Sequence, residues 1–334
     1  MPIQDKLRLV NPHIRRPSHK IPGGFTRTKV LTKAERVRLN PKLHLRERDG
    51  EYKICIQRKL GGMGDIIMTT PAVHAVREQY PNAEITYATD PPLYKILEGN
   101  PDINIFADFR KIDPASYDYF VDITTSGLYQ EKPGKVPINR IDMFATDVGV
   151  KLRDYKPVYI VSTEEQVWAN TLLERQWGLR EGYKFIVLSA ASVDHRRTWP
   201  PASSHELINL VNSKRKDVRW FVDDYNGVGG EWNHVNTISK RFDLRSLGAL
   251  INACDLFIGP DSGPIHMAGA LGKPIVGTFG STPVAARLNH YEGAVGVTAD
   301  LPCIGCWYSR CAYDLACMKK LSALKVSWAV LEKL

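Results

Sequence analysis

Long hydrophobic runs are missing from this 334-residue sequence. No stretch of about 18 consecutive apolar residues occurs, so the sequence predicts no membrane-spanning helix. The first 25 residues mix Arg, Lys, His and Pro with single apolar residues and lack the apolar core of a secretory signal peptide. We therefore expect a cytoplasmic protein. Charged residues make up 24% and hydrophobic residues 43%, which excludes collagen-like and wholly disordered chains.

Two common glycine-rich nucleotide signatures are also missing. The turn at 61–65, Gly-Gly-Met-Gly-Asp, matches neither the dinucleotide motif G-x-G-x-x-G nor the P-loop motif G-x-x-x-x-G-K-[ST]. Nicotinamide binding and P-loop ATP hydrolysis therefore lose support. Glycines at this point still allow the backbone to approach a ligand closely. Asp65 stands at the predicted start of a helix, as either its N-cap or a general base for an acceptor hydroxyl.

Acidic residues are scarce in the first 50 positions. That segment holds thirteen Lys and Arg against four Asp and Glu, whereas the other 284 residues carry 32 of each sign. The formal charge of +9 therefore belongs entirely to the N-terminal segment. Such a segment suits a polyanion: a phosphorylated glycan, an anionic membrane surface or nucleic acid. The alternative is a solvated arm that packs across the body of the protein.

From residue 53 onward, short apolar strands alternate with helical patterns in two series. This alternation predicts parallel sheets with crossover helices, the doubly wound α/β class. The helical stretch 163–177 joins the series and implies two facing Rossmann-like domains with a ligand cleft between them. We predict a basic extension, an N-terminal domain, a C-terminal domain and a terminal helix, at 1–50, 51–160, 161–320 and 321–334.

A second polar turn follows the predicted strand 255–259 and opens a helix. Pro264 suits the first helical position. The backbone N–H groups of Ser262 and Gly263 are then placed at a helix N-terminus, where a diphosphate binds readily. His266 falls in the first turn and is either a structural histidine or a hydrogen-bonding partner of the same anion.

Two adjacent arginines, Arg196 and Arg197, lie in the loop after the predicted strand 185–189. Arginine offers a bidentate fork to phosphate, and ligands of parallel sheets collect at the carboxyl ends of the strands. We expect this pair to balance the negative charge of a diphosphate.

These turns together resemble glycosyltransferase family 9, the bacterial lipopolysaccharide heptosyltransferases. Four stretches carry the resemblance, in this order: 61–65 with Thr69-Thr70-Pro71, then Arg197-Thr198-Trp199-Pro200, then 259–266, then Gly272-Lys273-Pro274 with Phe279-Gly280-Ser281-Thr282. The resemblance covers roughly residues 52–330 and leaves the basic segment outside. At the Trp-Pro motif the family usually has Lys where this chain has Arg197.

The resemblance implies a GT-B fold, with the acceptor on the N-terminal domain and a nucleotide-sugar on the C-terminal one. It also implies an inverting sugar transfer without a catalytic metal ion, from an ADP-heptose-like donor. Carried over to this chain, it makes Asp65 the general base. The glycines of the acceptor-side loop are Gly61, Gly62 and Gly64. The residues expected at the donor are Arg196, Arg197, Asp261, Ser262, Gly263, His266, Ser281 and Thr282.

Four of the six cysteines lie close together in the sequence, at Cys303, Cys306, Cys311 and Cys317. This spacing is typical of a tetrahedral thiolate site for structural Zn²⁺, or for iron in the same geometry. Disulfides are disfavoured in a reducing cytoplasm, so the alternative is four reduced thiols in a packed loop. We expect Cys55 and Cys254 to be small core residues.

The leading hypothesis is an enzyme that transfers a heptose-like sugar to a glycan hydroxyl, as in assembly of a lipopolysaccharide core. Its basic segment would bring it to a polyanionic acceptor and to the inner membrane as a peripheral protein. A first alternative keeps the catalyst but makes DNA the acceptor, with residues 1–50 on the phosphates. A second alternative is a degenerate transferase kept as a binding subunit, against which the intact Asp65, Ser262 and His266 argue.

Overall fold

The computed structural model describes residues 43, 45, 50–178, 182–224, 227 and 229–334. Almost all of the basic segment lies outside the described residues, and so do the predictions of membrane or DNA contact that depend on it. The described residues all belong to one compact unit. Among the described residues, no helix combines the length and the apolar character that a membrane crossing requires.

The first half of the described chain forms a parallel sheet of four strands. The strands are β1 (Lys53–Gln57), β2 (Glu84–Thr89), β3 (Ile105–Asp108) and β4 (Tyr119–Asp122). Their order across the sheet is β3-β2-β1-β4. Every residue after the first is buried in both β1 and β2, as expected of parallel strands that are covered on both faces.

The α-helices described in this half are α1 (Met63–Gln79), α2 (Tyr94–Leu97) and α3 (Arg140–Val148). The sequence predicted that the first of them starts at Asp65, whereas it begins at Met63 with Gly62 as its N-cap. The glycines at this point conceal the helix start in the sequence, because glycine is a poor helix former. Short 3₁₀ turns lie at Pro91–Leu93, Phe109–Lys111 and Pro114–Ser116.

The second half forms a parallel sheet of six strands. They are β5 (Lys184–Ser189), β6 (Val218–Asp223), β7 (Thr237–Ser239), β8 (Leu256–Pro260), β9 (Ile275–Phe279) and β10 (Ala294–Thr298). Their order across the sheet is β10-β9-β8-β5-β6-β7, with the first strand of this half, β5, in the middle. The next strands in the sequence, β6 and β7, are added on one side of β5, and the later strands are added on its other side, beginning with β8. This is the strand order of a Rossmann fold, whose ligands bind at the point where the order changes sides. The predicted doubly wound α/β class is confirmed.

The α-helices described in the second half are α4 (Thr163–Trp177), α5 (Pro201–Lys214), α6 (Leu244–Ala253), α7 (Gly263–Ala270), α8 (Ala285–Leu288), α9 (Ala316–Lys319) and α10 (Ala323–Lys333). A 3₁₀ turn lies at His195–Arg197. The helical stretch predicted between the two series coincides with α4, which begins directly after its N-cap residue Ser162. Pro264 takes the second position of α7 rather than the first, because the helix begins at Gly263.

The end of the predicted extension packs onto the body of the protein. Leu43 is only 1% exposed and belongs to the hydrophobic core beneath α1. The Tyr80 hydroxyl donates to the Leu43 carbonyl at 3.4 Å and accepts from the Leu45 N–H at 3.0 Å. Leu43 therefore packs with the body of the protein although it lies within the predicted extension, and the domain boundaries stay predictions. Cys55 and Cys254 are buried, as expected.

Candidate functional site

A cavity of about 930 Å³ is lined by residues of both halves of the chain. Its walls include eleven of the twelve residues predicted for the acceptor side and the donor side: Gly62, Gly64, Asp65, Arg196, Arg197, Asp261, Ser262, Gly263, His266, Ser281 and Thr282. The exception is Gly61, an exposed residue next to Gly62 in the chain. Its φ is +123°, and a Cβ there would lie 2.5 Å from an Asp65 carboxylate oxygen, so this position needs glycine to leave room for Asp65.

The first turns of α1 and α7 touch each other across the cavity. A Cβ on Gly64 would lie 2.5 Å from His266 Cδ2 and 3.4 Å from Gly263 Cα. A Cβ on Gly263 would in turn overlap the Met63 side chain. The two helices approach this closely because both first turns carry glycine at the contact.

Asp65 is the third residue of α1 and is held by cations on two sides. Its carboxylate forms ion pairs with Arg140 and, at 3.5 Å, with Arg58, and it accepts the Gly62 N–H at 3.2 Å. It therefore does not act as the N-cap, but it does satisfy the N–H of the capping residue. Burial raises the pKa of Asp65, but Arg140, Arg58 and Arg287 outweigh burial and hold the pKa below its ordinary value. Asp65 is thus a carboxylate at neutral pH.

Four ion pairs between side chains of alternating charge connect Asp65 to Asp261, one of the residues predicted at the donor. Arg140 pairs with both Asp65 and Glu131. Glu131 Oε1 accepts from Arg140 Nε at 2.7 Å and from Arg287 Nη1 at 3.0 Å. Arg287 Nε then lies 3.3 Å from Asp261 Oδ1. Among the ion pairs of the described residues, Glu131 is therefore the one carboxylate that contacts an arginine from each half of the chain, Arg140 and Arg287.

Asp261 is buried and contacts three other side chains that line the cavity. Its carboxylate accepts from Arg197 Nη1 at 3.0 Å and lies 3.8 Å from His266 Nε2. Burial raises the pKa of Asp261, but Arg287, His266 and Arg197 hold it well below its ordinary value. Burial also lowers the pKa of His266, so the ring is neutral near pH 7. His266 Nδ1 lies 2.7 Å from the Tyr291 hydroxyl, so both ring nitrogens face protein groups in this structure.

The two predicted phosphate-binding arginines already have acidic partners. Arg196 Nη2 lies 2.6 Å from Asp194 Oδ2, and Arg197 Nε lies 3.6 Å from the same oxygen. Arg197 also pairs with Asp261. The sequence pattern predicts free positive charge in this loop, whereas the structure shows charge that is largely balanced. A diphosphate would have to compete with these carboxylates.

The start of α7 provides a site for an anion. Ser262 is the N-cap, and its hydroxyl donates to the Pro260 carbonyl at 3.3 Å instead of capping the helix. The first-turn N–H groups of a helix have no intrahelical partner, and Ser262, Gly263 and Pro264 all line the cavity. Backbone groups and the helix dipole thus favour negative charge here.

Several residues that line the cavity or pair with its lining residues were not predicted from the sequence. Glu131, Arg140 and Arg287 come from three separate parts of the chain, so spacing does not group them. Arg58 directly follows β1, and the argument applied to Arg196 and Arg197 could have found it. Asp223 ends β6 and also lines the cavity; burial, aided by Asp224, raises its pKa to about 6.

The predicted four-cysteine metal site is not supported. In the part of the chain that the structure describes, no three His, Cys, Asp or Glu side chains are grouped to hold a metal ion. All of the cysteines are free thiols, and those of the loop range from buried Cys317 to exposed Cys311. Cys311 Sγ accepts the N–H groups of Tyr313 and Leu315 at 3.4 and 3.3 Å, so local backbone contacts fix its position. Sequence spacing alone does not set the side-chain directions that coordination requires.

Comparison with known proteins places this cavity in an enzyme family. The sequence model of glycosyltransferase family 9 (heptosyltransferase) matches residues 133–314, more than half of the chain. The chain belongs to that family. It is 22% identical over 277 residues to lipopolysaccharide heptosyltransferase 3 of Escherichia coli K12, covering 66% of this chain and 80% of that protein.

Solved structures show the same fold. The E. coli ADP-heptose lipopolysaccharide heptosyltransferase II superposes with a TM-score of 0.61 at 14% identity, covering 84% of this chain and 98% of that one. TibC of enterotoxigenic E. coli, an iron-containing dodecameric glycosyltransferase, gives a TM-score of 0.60 at 15% identity, covering 86% and 80%. The protein is therefore a glycosyltransferase with the GT-B arrangement of two Rossmann-like halves.

Proposed function

We propose that this enzyme transfers a heptose-like sugar from a nucleotide-diphosphate donor of the ADP-heptose class to a hydroxyl of a lipopolysaccharide-core glycan. The observation that carries the proposal is the contact between two helix starts in one cavity: α1 brings Asp65, and α7 brings Ser262 and Gly263. A carboxylate and an anion site facing the same space are what displacement at an anomeric carbon requires. The relatives named above support the choice of sugar and acceptor.

In this mechanism the acceptor hydroxyl attacks the anomeric carbon while Asp65 takes its proton. The new C–O bond forms on the face opposite the bond to the diphosphate, which leaves with its electron pair, so the anomeric configuration inverts. Asp65 is ionised at neutral pH and is ready to accept a proton. The start of α7 and Arg197 balance the charge of the leaving group, and no metal ion takes part in the proposed step.

Donor binding would change the ion-pair partners of Arg197. Arg197 Nε is buried and has no hydrogen-bond partner among the described residues, although Asp194 lies within ion-pair distance. A diphosphate at the start of α7 offers Arg197 a stronger partner than either aspartate, because phosphate oxygens accept two parallel N–H bonds. We therefore expect Arg197 to turn from Asp194 to the donor.

The nucleoside end of the donor would lie at Asp223. In Rossmann folds, an acidic residue near the end of the second strand accepts hydrogen bonds from ribose hydroxyls. Asp223 is the last residue of β6, the second strand of this half, and it is only 7% exposed. Burial and the neighbouring Asp224 raise the pKa of Asp223 to about 6, and hydrogen bonds from ribose hydroxyls would favour its ionised form.

A binding and transfer experiment tests the proposal. ADP-heptose at about 100 times its dissociation constant should raise the unfolding free energy by about 2.7 kcal/mol. The UDP- and GDP-sugars serve as controls and should stabilise the protein less. Labelled heptose should then appear on a truncated lipopolysaccharide core and not on duplex DNA. Failure to bind or transfer any nucleotide-sugar would overturn the proposal, and transfer to DNA would revive the alternative acceptor.

A further inference from the structure

The cysteine-containing loop, residues 303–317, borders the donor half of the cavity. It runs beside the turn that follows β9: the Gly305 N–H donates to the Gly280 carbonyl at 2.8 Å, and the Trp307 N–H donates to the Ser281 carbonyl at 2.9 Å. A Cβ on Gly280 would lie 2.8 Å from Cys317 Sγ, so the loop and the turn are packed closely. The loop is therefore part of the wall that contains Ser281.

Trp307 holds an unusual backbone conformation at this point. Its φ is +59°, in the left-handed region that residues with a Cβ rarely adopt. Such a conformation is unfavourable and persists where surrounding contacts impose it, which is often at ligand sites. Here the hydrogen bond to the Ser281 carbonyl holds the backbone of Trp307, and Trp307 belongs to the cavity wall.

The indole of Trp307 has an unused hydrogen-bond donor. Its Nε1 is buried and has no partner among the described residues. The Arg287 guanidinium lies 5.1 Å from the ring centroid, and Arg287 is itself fixed by Asp261 and Glu131. The ring is therefore held in place while its N–H is unsatisfied, and a buried N–H without an acceptor is costly.

We propose that Trp307 is a donor-binding residue whose indole N–H donates to an oxygen of the nucleotide-sugar. This inference rests on the proposed function for the identity of the donor. The acceptor atom belongs either to the diphosphate or to a sugar hydroxyl, and both are oxygen acceptors that an indole N–H suits. The cysteine-containing loop then serves as the scaffold that presents Trp307 to the donor.

The test compares Trp307→Phe with Trp220→Phe by calorimetric titration of ADP and of ADP-heptose. Trp307→Phe keeps an aromatic ring and removes the N–H, so affinity for ADP-heptose should fall roughly tenfold, with little change in melting temperature. Trp220 is a matched control: it is buried away from the cavity, and its Nε1 donates to Asn212 at 2.9 Å. Trp220→Phe should lower the melting temperature and leave donor affinity unchanged.

Comparing the affinities for ADP and ADP-heptose shows whether the acceptor oxygen belongs to the diphosphate or to the sugar. An equal loss for ADP and ADP-heptose assigns the N–H to the diphosphate, and a loss for ADP-heptose alone assigns it to the sugar. Wild-type affinity for both ligands in folded Trp307→Phe overturns the inference alone. A wild-type protein that binds neither ligand overturns the proposed function and this inference together.

A second measurement covers a Trp307→Phe protein that does not fold. The indole ¹⁵N–¹H signal of Trp307, assigned by its absence in Trp307→Tyr, should shift downfield when ADP-heptose is added to the wild-type protein. A signal that does not move at saturating ADP-heptose overturns the inference.

Discussion

Gly64 and Gly263 lie against each other at the facing starts of α1 and α7, where a Cβ on Gly64 would be 3.4 Å from Gly263 Cα. Through this contact the helix that bears Asp65 meets the helix that offers the anion site. A side chain at either glycine would push the two apart. In the proposed mechanism, the distance between the base and the leaving group therefore depends on the absence of a side chain at these two glycines as much as on the charged residues around them.

Gly64→Ala should weaken transfer by about 100-fold, because a displacement of about 1 Å between reacting groups has an effect of that size. The added Cβ would lie 2.5 Å from the His266 ring, which is also buried. Gly62→Ala is the matched comparison, since nothing lies within 4 Å of its Cβ and its φ is −89°. Steady-state kinetics should show a far smaller loss for Gly62→Ala; equal losses would contradict the packing argument.

Asp261→Asn should destabilise the protein by about 3 kcal/mol at pH 7, because it leaves Arg287 and Arg197 without their shared buried carboxylate. The folded-state pKa of Asp261 lies well below 3.8, so its stabilising effect is present above the unfolded-state pKa and is lost as pH falls through the folded-state value. Urea unfolding should show the difference from wild type shrinking in strong acid. Asp300→Asn, which removes an exposed pair with Lys325, should change stability by less than about 0.5 kcal/mol.

Glu131→Gln should lower kcat by about tenfold and move the acid limb of the pH profile to lower pH. Without the Glu131 charge, Arg140 acts on Asp65 alone and holds its pKa lower, which makes it a weaker base. The other groups whose charge acts on or near Asp65 are Arg58, Arg287, His266 and Tyr87.

Glu131→Asp keeps the negative charge and should keep the wild-type limb. If the acid limb of the pH profile stays in place in Glu131→Gln and kcat is reduced equally at every pH, Glu131 only supports the fold.

Asp223→Asn should stabilise the free protein above pH 6 and weaken donor binding. Burial raises the pKa of Asp223 to about 6, so folding becomes less favourable as pH rises from the unfolded-state value near 3.9 through 6. A shift of about 2 units corresponds to about 3 kcal/mol, which the amide avoids. Unfolding free energies at pH 4.5 and 7.5 should differ between the two proteins much more at the higher pH. A variant less stable than wild type at pH 7.5 would contradict this account.

The sequence predicted those parts of the fold that local patterns determine. Alternating apolar runs gave the two parallel sheets, and α4 was found at its observed bounds because a capping serine and a glycine mark its ends. The start of α1 was placed too late because the glycines before Asp65 are poor helix formers. A glycine-rich turn does not reveal from sequence whether a helix has already begun.

The candidate site was predicted as far as its residues lie in short motifs. Asp65 and the 261–266 turn reach the cavity as expected. Glu131, Arg140 and Arg287 were missed, because each is a single charged residue whose role depends on a contact with a distant one. The cysteine spacing suggested metal ligands, which the described residues do not support, and Cys311 accepts two backbone N–H groups of its own loop.

The most direct test of the account is the rate of heptose transfer by Asp65→Asn, measured together with ADP-heptose affinity. The amide keeps the size of the side chain but accepts no proton, so kcat should fall by about 10²- to 10⁴-fold while donor affinity stays within a few-fold of wild type. A protein that transfers heptose at the wild-type rate with Asn at position 65 would contradict the central claim that Asp65 is the base.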